Sequence, residues 1–483
     1  MSDVQHTKAP SMLDSFIPLL ALIVMLSGSV FYFGDNSTGG PNQIALMLAT
    51  GIAAIIGIKN KHTWAEIEKA MIHGISISMG AIFILLAVGA LIGTWMLSGT
   101  VPTMIYYGLK LLDPNWFYPA ACIICGIVAL SIGSSWTTAA TIGVALMGIA
   151  GGLGLNPAIT AGAVISGAYF GDKISPLSET TNLAPVVAGS ELFSHIRYMM
   201  WTTLPSITIS LILFTFIGFS EETATSSASV DFINQKLVEN FNISIFNLIP
   251  LVLLLTLAVK KMPAFPAVAI GALVGGIWAV LFQTDLILRL AGEGVDSTTA
   301  TLKVVWTALF DGVAISSGDS DLDDLLSGGG MAGMLKIVWL VMCALMFGAV
   351  LEHLGMLKKF VTAILSSVKS VGGLISSTIA TCIGTNIITA DQYMAIVMPG
   401  RMYKEEYARR KLDPLVLSRT LEDSGTLTSP LIPWNTCGAF MFGVLALTSY
   451  EYIFYCFFNF INPILAISYG FLGFKIKSLV END

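Results

Sequence analysis

Apolar stretches long enough to cross a hydrocarbon core of about 30 Å recur from residue 15 to residue 474, separated by short polar connections. Two of these stretches are interrupted. Residues 166–182 read Ser-Gly-Ala-Tyr-Phe-Gly-Asp-Lys-Ile-Ser-Pro-Leu-Ser-Glu-Thr-Thr-Asn, which sets Asp172, Lys173 and Glu179 between flanks too short to be full spans. Residues 419–436 carry Arg419, Glu422, Asp423, Pro430, Pro433 and Asn435 in the same kind of setting. Proline removes a backbone donor and breaks a helix, leaving carbonyls free. A charge at the bilayer centre costs about 2.5–3.5 kcal/mol on insertion scales, so clusters of this kind mark function. The pattern predicts an all-α polytopic membrane protein with two discontinuous helices.

The two halves echo each other across a polar linker at 220–242. Phe16-Ile17-Pro18-Leu19 matches Leu248-Ile249-Pro250-Leu251, and residues 70–75 match 308–313. Ile132-Gly133-Ser134-Ser135 matches Ile383-Gly384-Thr385-Asn386, Leu155-Asn156-Pro157 matches Leu412-Asp413-Pro414, and Ile174-Ser175-Pro176-Leu177 matches Thr428-Ser429-Pro430-Leu431. The shared order of these matches is the signature of a transporter repeat. Cytoplasmic loops are enriched in Lys and Arg, and corresponding loops here have opposite charge. Residues 34–42 have no Lys or Arg, whereas their counterpart has Lys260 and Lys261. Residues 151–156 are uncharged, whereas theirs holds Arg401, Lys404, Arg409, Arg410 and Lys411. Lys59, Lys61 and Lys69 face an acidic counterpart with Asp319, Asp321, Asp323 and Asp324. The repeats are therefore expected to be inverted.

The path consistent with these charges has a cytoplasmic N-terminus (1–14), a first repeat (15–219), an external linker (220–242), a second repeat (243–474) and a cytoplasmic C-terminus (475–483). Each repeat makes three spans, a re-entrant hairpin (about 117–150 and 372–400), a broken helix (about 157–190 and 414–447) and a last span. Non-helical backbone survives at membrane depth only against protein or a cavity. The hairpin tips are expected at Gly133-Ser134-Ser135-Trp136-Thr137 and at Gly384-Thr385-Asn386, followed by Thr389 and Asp391.

Composition agrees with lipid as the main solvent: 55% of the 483 residues are apolar and 11% charged, against about 25% charged in soluble domains. Nothing suggests a soluble domain, a signal peptide or a basic patch for nucleic acid. The six cysteines lie in apolar runs, so Cys122-x-x-Cys125 reads as buried packing.

Hydroxyls, amide oxygens, carboxylates and freed carbonyls are the hard oxygen ligands a small cation needs. The candidate ion- and proton-binding residues are Asp172, Glu179, Ser134, Ser135, Thr137, Ser175, Ser178, Thr181 and Asn182 in the first half. In the second half they are Glu422, Asp423, Asp391, Thr385, Asn386 and Asn435, with Lys173 and Arg419 as supporting charges. Adjacent carboxylates in apolar surroundings repel, so at least one of Glu422 and Asp423 is expected to hold a proton near neutral pH. A small cation is expected at Asp172, Ser134, Ser135 and Asn386, with Lys173 offsetting the empty Asp172 site. Glu352 and His353 read as interfacial, and no cofactor is expected beyond the transported ions.

Residues 167–185, Gly-Ala-Tyr-Phe-Gly-Asp-Lys-Ile-Ser-Pro-Leu-Ser-Glu-Thr-Thr-Asn-Leu-Ala-Pro, resemble the signature of the NhaC-type Na+/H+ antiporter family. The resemblance continues through residues 195–205 and again from Leu421-Glu-Asp-Ser-Gly-Thr to Pro433-Trp-Asn-Thr-Cys-Gly438. It implies the ion-transporter superfamily, with inverted repeats, paired re-entrant hairpins and an elevator-like transport domain, in a bacterial inner membrane. Hairpin-tip Ser-Asn-Thr segments bind sodium in that superfamily; Gly384-Thr385-Asn386 is similar, whereas Gly133-Ser134-Ser135 lacks the Asn.

The expected mechanism is exchange in which Na+ and H+ compete for Asp172, Glu179, Asp423 and Glu422, with the first three spans of each half as scaffold or homodimer contact. The alternative is Na+- or H+-coupled exchange of an organic acid or amino acid, since some relatives exchange malate and lactate; there Arg419 faces either Asp423 or a substrate carboxylate. An intramembrane aspartyl protease is a remote rival, because the Gly-x-Gly-Asp pattern is absent before Asp172.

Overall fold

The computed structural model describes residues 7–221, 227–292, 294–315, 323, 326–366 and 368–479. Three of the acidic-loop residues weighed above, Asp319, Asp321 and Asp324, lie outside them, as do parts of the linker and both termini. Among the described residues the chain is helical, with two isolated β-bridges as its only extended pairing. Among the described residues eight helices are long and apolar enough to cross a membrane, and a ninth forms if a bent pair in residues 230–259 counts as one span.

The first half comprises α1 (Met12–Phe33), α2 (Pro41–Lys59), α3 (Trp64–Ile77), α4 (Met79–Leu97), α5 (Thr100–Leu111) and α6 (Phe117–Ile132). After a turn at Gly133 the chain continues as α7 (Ser135–Thr138), a π-helical turn (Ala139–Gly143) and α8 (Val144–Gly152). Then come α9 (Pro157–Ile174), α10 (Glu179–Ala188) and α11 (Leu192–Ser220). The second half comprises α12 (Ser227–Asn240), α13 (Ile249–Val259), α14 (Ala264–Phe282), α15 (Thr284–Ala291), α16 (Ser297–Phe310), α17 (Met331–His353) and α18 (Met356–Ser366). It ends with α19 (Val371–Thr389), α20 (Gln392–Arg409), α21 (Pro414–Leu421), α22 (Thr436–Val444) and α23 (Phe457–Leu472).

Two sets of parallel neighbours form a frame. Gly40 lies against Trp339 near the starts of α2 and α17, and Gly57 against Leu354 near their ends. In α4 and α14, Trp95 Nε1 donates to the Gly271 carbonyl at 3.2 Å, and past the helix ends Gln283 Nε2 donates to the Ser98 carbonyl at 3.3 Å. The α1–α2 pair is antiparallel, closed by Ser29 Oγ donating to Asn42 Oδ1 at 2.7 Å at one end and by Lys59 and Asp14 at 2.7 Å at the other. α3 packs on α17 and α16 packs on α4, so each half lends the other the same kind of support.

The remaining helices form the two interrupted bodies. α6 and α9 run side by side with almost no space between backbones: a Cβ on Gly167 would fall 2.0 Å from the Cys122 carbonyl oxygen, and one on Gly171 2.1 Å from that of Gly126. Only glycine permits that approach. The base of α19 and the end of α20 meet where the Arg410 guanidinium donates to the Ser370 and Val368 carbonyls at 2.7 and 2.8 Å, so the two helices form a hairpin closed at its base.

Candidate functional site

Each broken helix owes its break to sequence. α9 ends at Ile174 because Pro176 cannot continue it, and α10 restarts with Ser178 as N-cap. The carbonyls this frees are retaken by side chains. Thr181 Oγ1 donates to the Lys173 carbonyl at 3.0 Å and to that of Asp172 at 3.3 Å; Asn182 Nδ2 donates to the Pro176 and Ser178 carbonyls at 2.9 and 2.6 Å. Ser175 Oγ donates to the Leu130 carbonyl on α6 at 2.8 Å. Ser175, Thr181 and Asn182, expected as ion ligands, are thus engaged in holding the break. In the second half α21 passes into a π-helical turn over Glu422–Thr426, then a 3-10 turn over Ser429–Leu431, and Asn435 caps α22.

The first hairpin tip sits on the first break. Gly133, with φ +77°, abuts Leu177 and Ser178. Ser134 caps α7, accepting from the Thr137 amide at 3.2 Å and the Thr137 hydroxyl at 3.1 Å. The next residue reaches the key carboxylate: Asp172 Oδ2 accepts from Ser135 Oγ at 2.7 Å and from the Ser135 amide at 3.2 Å, with Asp172 only 7% exposed.

The second tip differs from the expectation. Gly384, Thr385 and Asn386 lie inside α19, because Thr385 Oγ1 back-bonds to the Thr381 carbonyl at 2.8 Å and nothing there breaks the helix. The chain turns at Ala390, with φ +56°, and Asp391 caps α20 by accepting from the Met394 amide at 2.9 Å. Asn386 is committed to the second break: its Nδ2 donates to the Gly425 carbonyl at 2.7 Å and to Thr428 Oγ1 at 3.1 Å, while Asn435 Nδ2 donates to Asn386 Oδ1 at 3.0 Å. The expected Na+ group of Asp172, Ser134, Ser135 and Asn386 is therefore not assembled as one cluster, since Asn386 belongs to the other break.

Between the breaks lies a buried charge network. Lys173 Nζ is 2.7 Å from Asp423 Oδ1, so this lysine partners the other half's aspartate rather than Asp172. Thr202 Oγ1 on α11 donates to the same oxygen at 3.1 Å. Arg419 Nε stands 4.0 Å from Asp423 Oδ2, its Nη1 donates to the Lys475 carbonyl at 3.2 Å, and its guanidinium lies 4.5 Å from the Tyr198 ring centroid. Glu422 is fully buried and neither of its carboxylate oxygens has a hydrogen-bond partner among the described residues. The groups around it are Lys173, Thr426, Asp172 and Thr180. Buried His195 shares a hydrogen bond with Ser418 Oγ at 2.9 Å.

A cavity of about 760 Å³ opens onto the first break and both tips. It reaches Ser134, Ser135, Thr137, Asp172, Ser178, Glu179 and Asn182 from the first half, and Asp391 and Tyr393 from the second. Exposed Glu179 accepts from the Tyr393 hydroxyl at 2.5 Å. The cavity's other walls are frame elements, the α3–α4 junction and the Lys261–Pro263 turn. Glu422, Asp423, Lys173 and Arg419 lie behind it, outside its lining.

Sequence reasoning missed Thr202, Thr180, Tyr198 and Tyr393. Tyr198 and Thr202 lie in the 195–205 stretch that carries the family resemblance, which is the signal that could have found them. Tyr393 offers none, because its partner is 214 residues away.

A model of the Na+/H+ antiporter family matches residues 167–474, which hold both breaks and the second hairpin. The chain is 39% identical to the Na(+)/H(+) antiporter NhaC of Alkalihalophilus pseudofirmus, over 90% of this chain and 91% of that protein. It is 37% identical to the malate-2H(+)/Na(+)-lactate antiporter of Bacillus subtilis, over 97% and 96% of the two chains. With the arginine/ornithine antiporter ArcD of Halobacterium salinarum it shares 36% identity, over 98% and 94%. A match that covers the carboxylate-bearing breaks and relatives that extend along nearly the whole chain lead to one conclusion: the chain belongs to the Na+/H+ antiporter family.

Proposed function

We propose that the protein exchanges Na+ for H+ across a bacterial inner membrane by alternating access, with both termini cytoplasmic. The observation that carries this reading is Asp172: a buried carboxylate on the cavity wall, held by the Ser135 hydroxyl and amide of a re-entrant tip. Na+ would be held by Asp172 with the Ser135 and Ser134 hydroxyls, hard oxygen ligands suited to it. Around the two breaks, among the described residues, Asp172, Asp391, Glu422 and Asp423 are buried with Lys173 and Arg419 as the buried lysine and arginine. The excess of two carboxylates favours occupancy by monovalent cations, Na+ or H+, and a charge left uncompensated there is costly. Glu422, buried without a hydrogen bond, suits the proton; Asp172, open to the cavity, suits Na+.

The two halves would be inverted repeats, a reading supported by the reciprocal packing of α3 on α17 and α16 on α4. α1–α4 and α13–α17 would form the frame and the homodimer contact, while the hairpins and broken helices carry the ion past it. The cavity opens beside Lys261, on the side that the positive-inside bias makes cytoplasmic. No cofactor or catalytic step enters this mechanism.

The test is dissipation of a pH gradient in everted vesicles, titrated with Na+, Li+ and K+. Na+-dependent dissipation that Asp172→Asn abolishes, with the variant present in the membrane, is the expected result; exchange at the wild-type rate in Asp172→Asn refutes the site. A second reading, Na+-coupled exchange of an organic acid or amino acid, draws on the names of two of the relatives. In it the substrate carboxylate would meet Lys261, because Arg419 is enclosed by Asp423, Tyr198 and the Lys475 carbonyl. Dependence of the exchange on malate, lactate or an amino acid would favour it.

A further inference from the structure

The cavity is far larger than its proposed ion. A dehydrated Na+ with its oxygen ligands needs a small shell, whereas about 760 Å³ falls in the range, roughly 300–1,000 Å³, of pockets that hold small organic molecules. Its charged groups are unequal in sign: Asp172, Glu179 and Asp391 line it, with Lys261 as the one basic side chain among the described residues. Two of those carboxylates, Asp172 at 7% and Asp391 at 6% exposure, are largely withdrawn from water. They come from different halves of the chain, Asp172 from the first break and Asp391 from the turn before α20. The lining also includes apolar and aromatic side chains, among them Ile84, Met262, Pro263, Trp136 and Tyr393, beside hydroxyl and amide groups.

This combination has a specific complement. An inorganic cation uses the carboxylates and gains nothing from the walls. An organic anion uses the walls but meets three carboxylates against the single lysine Lys261, and the Arg419 guanidinium lies outside the lining. An organic ammonium uses both: its charge pairs with Asp172 or Asp391, and its hydrocarbon body displaces water from Ile84, Met262 and Trp136. Aromatic faces near a cationic head add cation–π attraction.

We propose that this cavity binds alkylammonium ions as a second class of cargo, competing with Na+. The inference rests on the Na+/H+ reading of the same site and extends it to organic cations.

The test uses purified full-length protein and vesicles containing it. Calorimetric titration with methyl-, butyl- and hexylammonium is paired with butyrate and hexanoate, and each compound is also tested for inhibition of radiolabelled Na+ uptake. The expected result is binding that tightens along the ammonium series, by up to about fourfold per methylene if each is fully buried, with matching inhibition of Na+ uptake and no binding of the carboxylates. Ile84→Ser, which alters a wall and no charged group, should flatten the chain-length dependence; this separates the cavity from partitioning into lipid or detergent, which the substitution leaves unchanged. Na+ exchange that proceeds normally while hexylammonium neither binds nor inhibits overturns this inference and leaves the Na+/H+ reading standing. Absence of Na+ exchange in the wild-type vesicles overturns the reading beneath it. Chain-length-dependent binding of the carboxylates instead of the ammoniums overturns the assignment of cargo charge.

Discussion

Lys173 Nζ and Asp423 Oδ1, 250 residues apart in the chain, lie 2.7 Å apart with both side chains wholly removed from solvent. This contact joins the first broken helix to the second. Removing one member of such a pair leaves an uncompensated buried charge, which costs about 3–5 kcal/mol. Lys173→Ala and Asp423→Ala should each lower the melting temperature measured in detergent by several degrees and abolish exchange. The paired replacement Lys173→Met with Asp423→Leu should recover much of the stability and none of the transport. Full transport in the double variant would show that the pair only holds the fold.

Ser135 tests the first tip. Its hydroxyl donates to a carboxylate, and hydrogen bonds to charged groups contribute about 1.5–3 kcal/mol. Ser135→Ala should raise the Na+ concentration for half-maximal exchange by roughly tenfold or more, with maximal rate far less affected. The same substitution at Ser175, whose hydroxyl bonds the Leu130 carbonyl instead, should lower thermal stability without a comparable change in Na+ dependence.

Glu422 separates the proton from the sodium. If it carries the proton, Glu422→Gln should retain Na+/Na+ exchange of isotope while losing pH-gradient dissipation. Loss of both activities in a stably inserted variant would assign Glu422 to the sodium site as well.

Arg410 holds the base of the second hairpin. Its guanidinium bonds the Ser370 and Val368 carbonyls and also Glu406 at 2.7 Å. Arg409 and Arg410 draw the Glu406 carboxyl below its ordinary range. A carboxylate with a depressed folded pKa contributes above its unfolded pKa and loses that contribution as pH falls through the folded value. Hydrogen exchange in α19 should therefore quicken in Arg410→Ala. In the wild-type protein it should quicken only under acid conditions below the ordinary carboxylate pKa.

Gly171→Ala should be severely destabilising, because its methyl would fall 2.1 Å from the Gly126 carbonyl oxygen and 2.6 Å from the Leu130 amide. Backbone on both sides leaves no flexible atom to yield. The readout is the yield of folded protein in gel filtration, compared with Gly51→Ala, whose added methyl meets nothing within 4 Å.

The spans were legible because lipid imposes a long unbroken apolar run on any helix that crosses it. The breaks were legible for a related reason: Pro176 and the charges around it stand out against that background. The second tip was not. Gly384-Thr385-Asn386 has turn-forming residues, yet the helix continues through them, while the turn falls on Ala390, an unusual residue for the left-handed region. Nor does residue type reveal whether a hydroxyl faces an ion or its own backbone. Ser135 and Ser175 look alike in sequence, and only packing sends one to Asp172 and the other to Leu130. Lys173 beside Asp172 suggests a local pair, but neighbouring side chains on a helix diverge, and the ammonium reaches across to the other half.

The hydrogen bond from the Tyr393 hydroxyl to Glu179 has a genetic consequence. It couples a residue just past the second tip to the first turn of α10, and both residues line the same cavity. A chain severed in the 220–242 linker should be inert when either fragment is expressed alone. Co-expression should restore exchange, and defects in opposite halves should fail to complement when both bear on this contact.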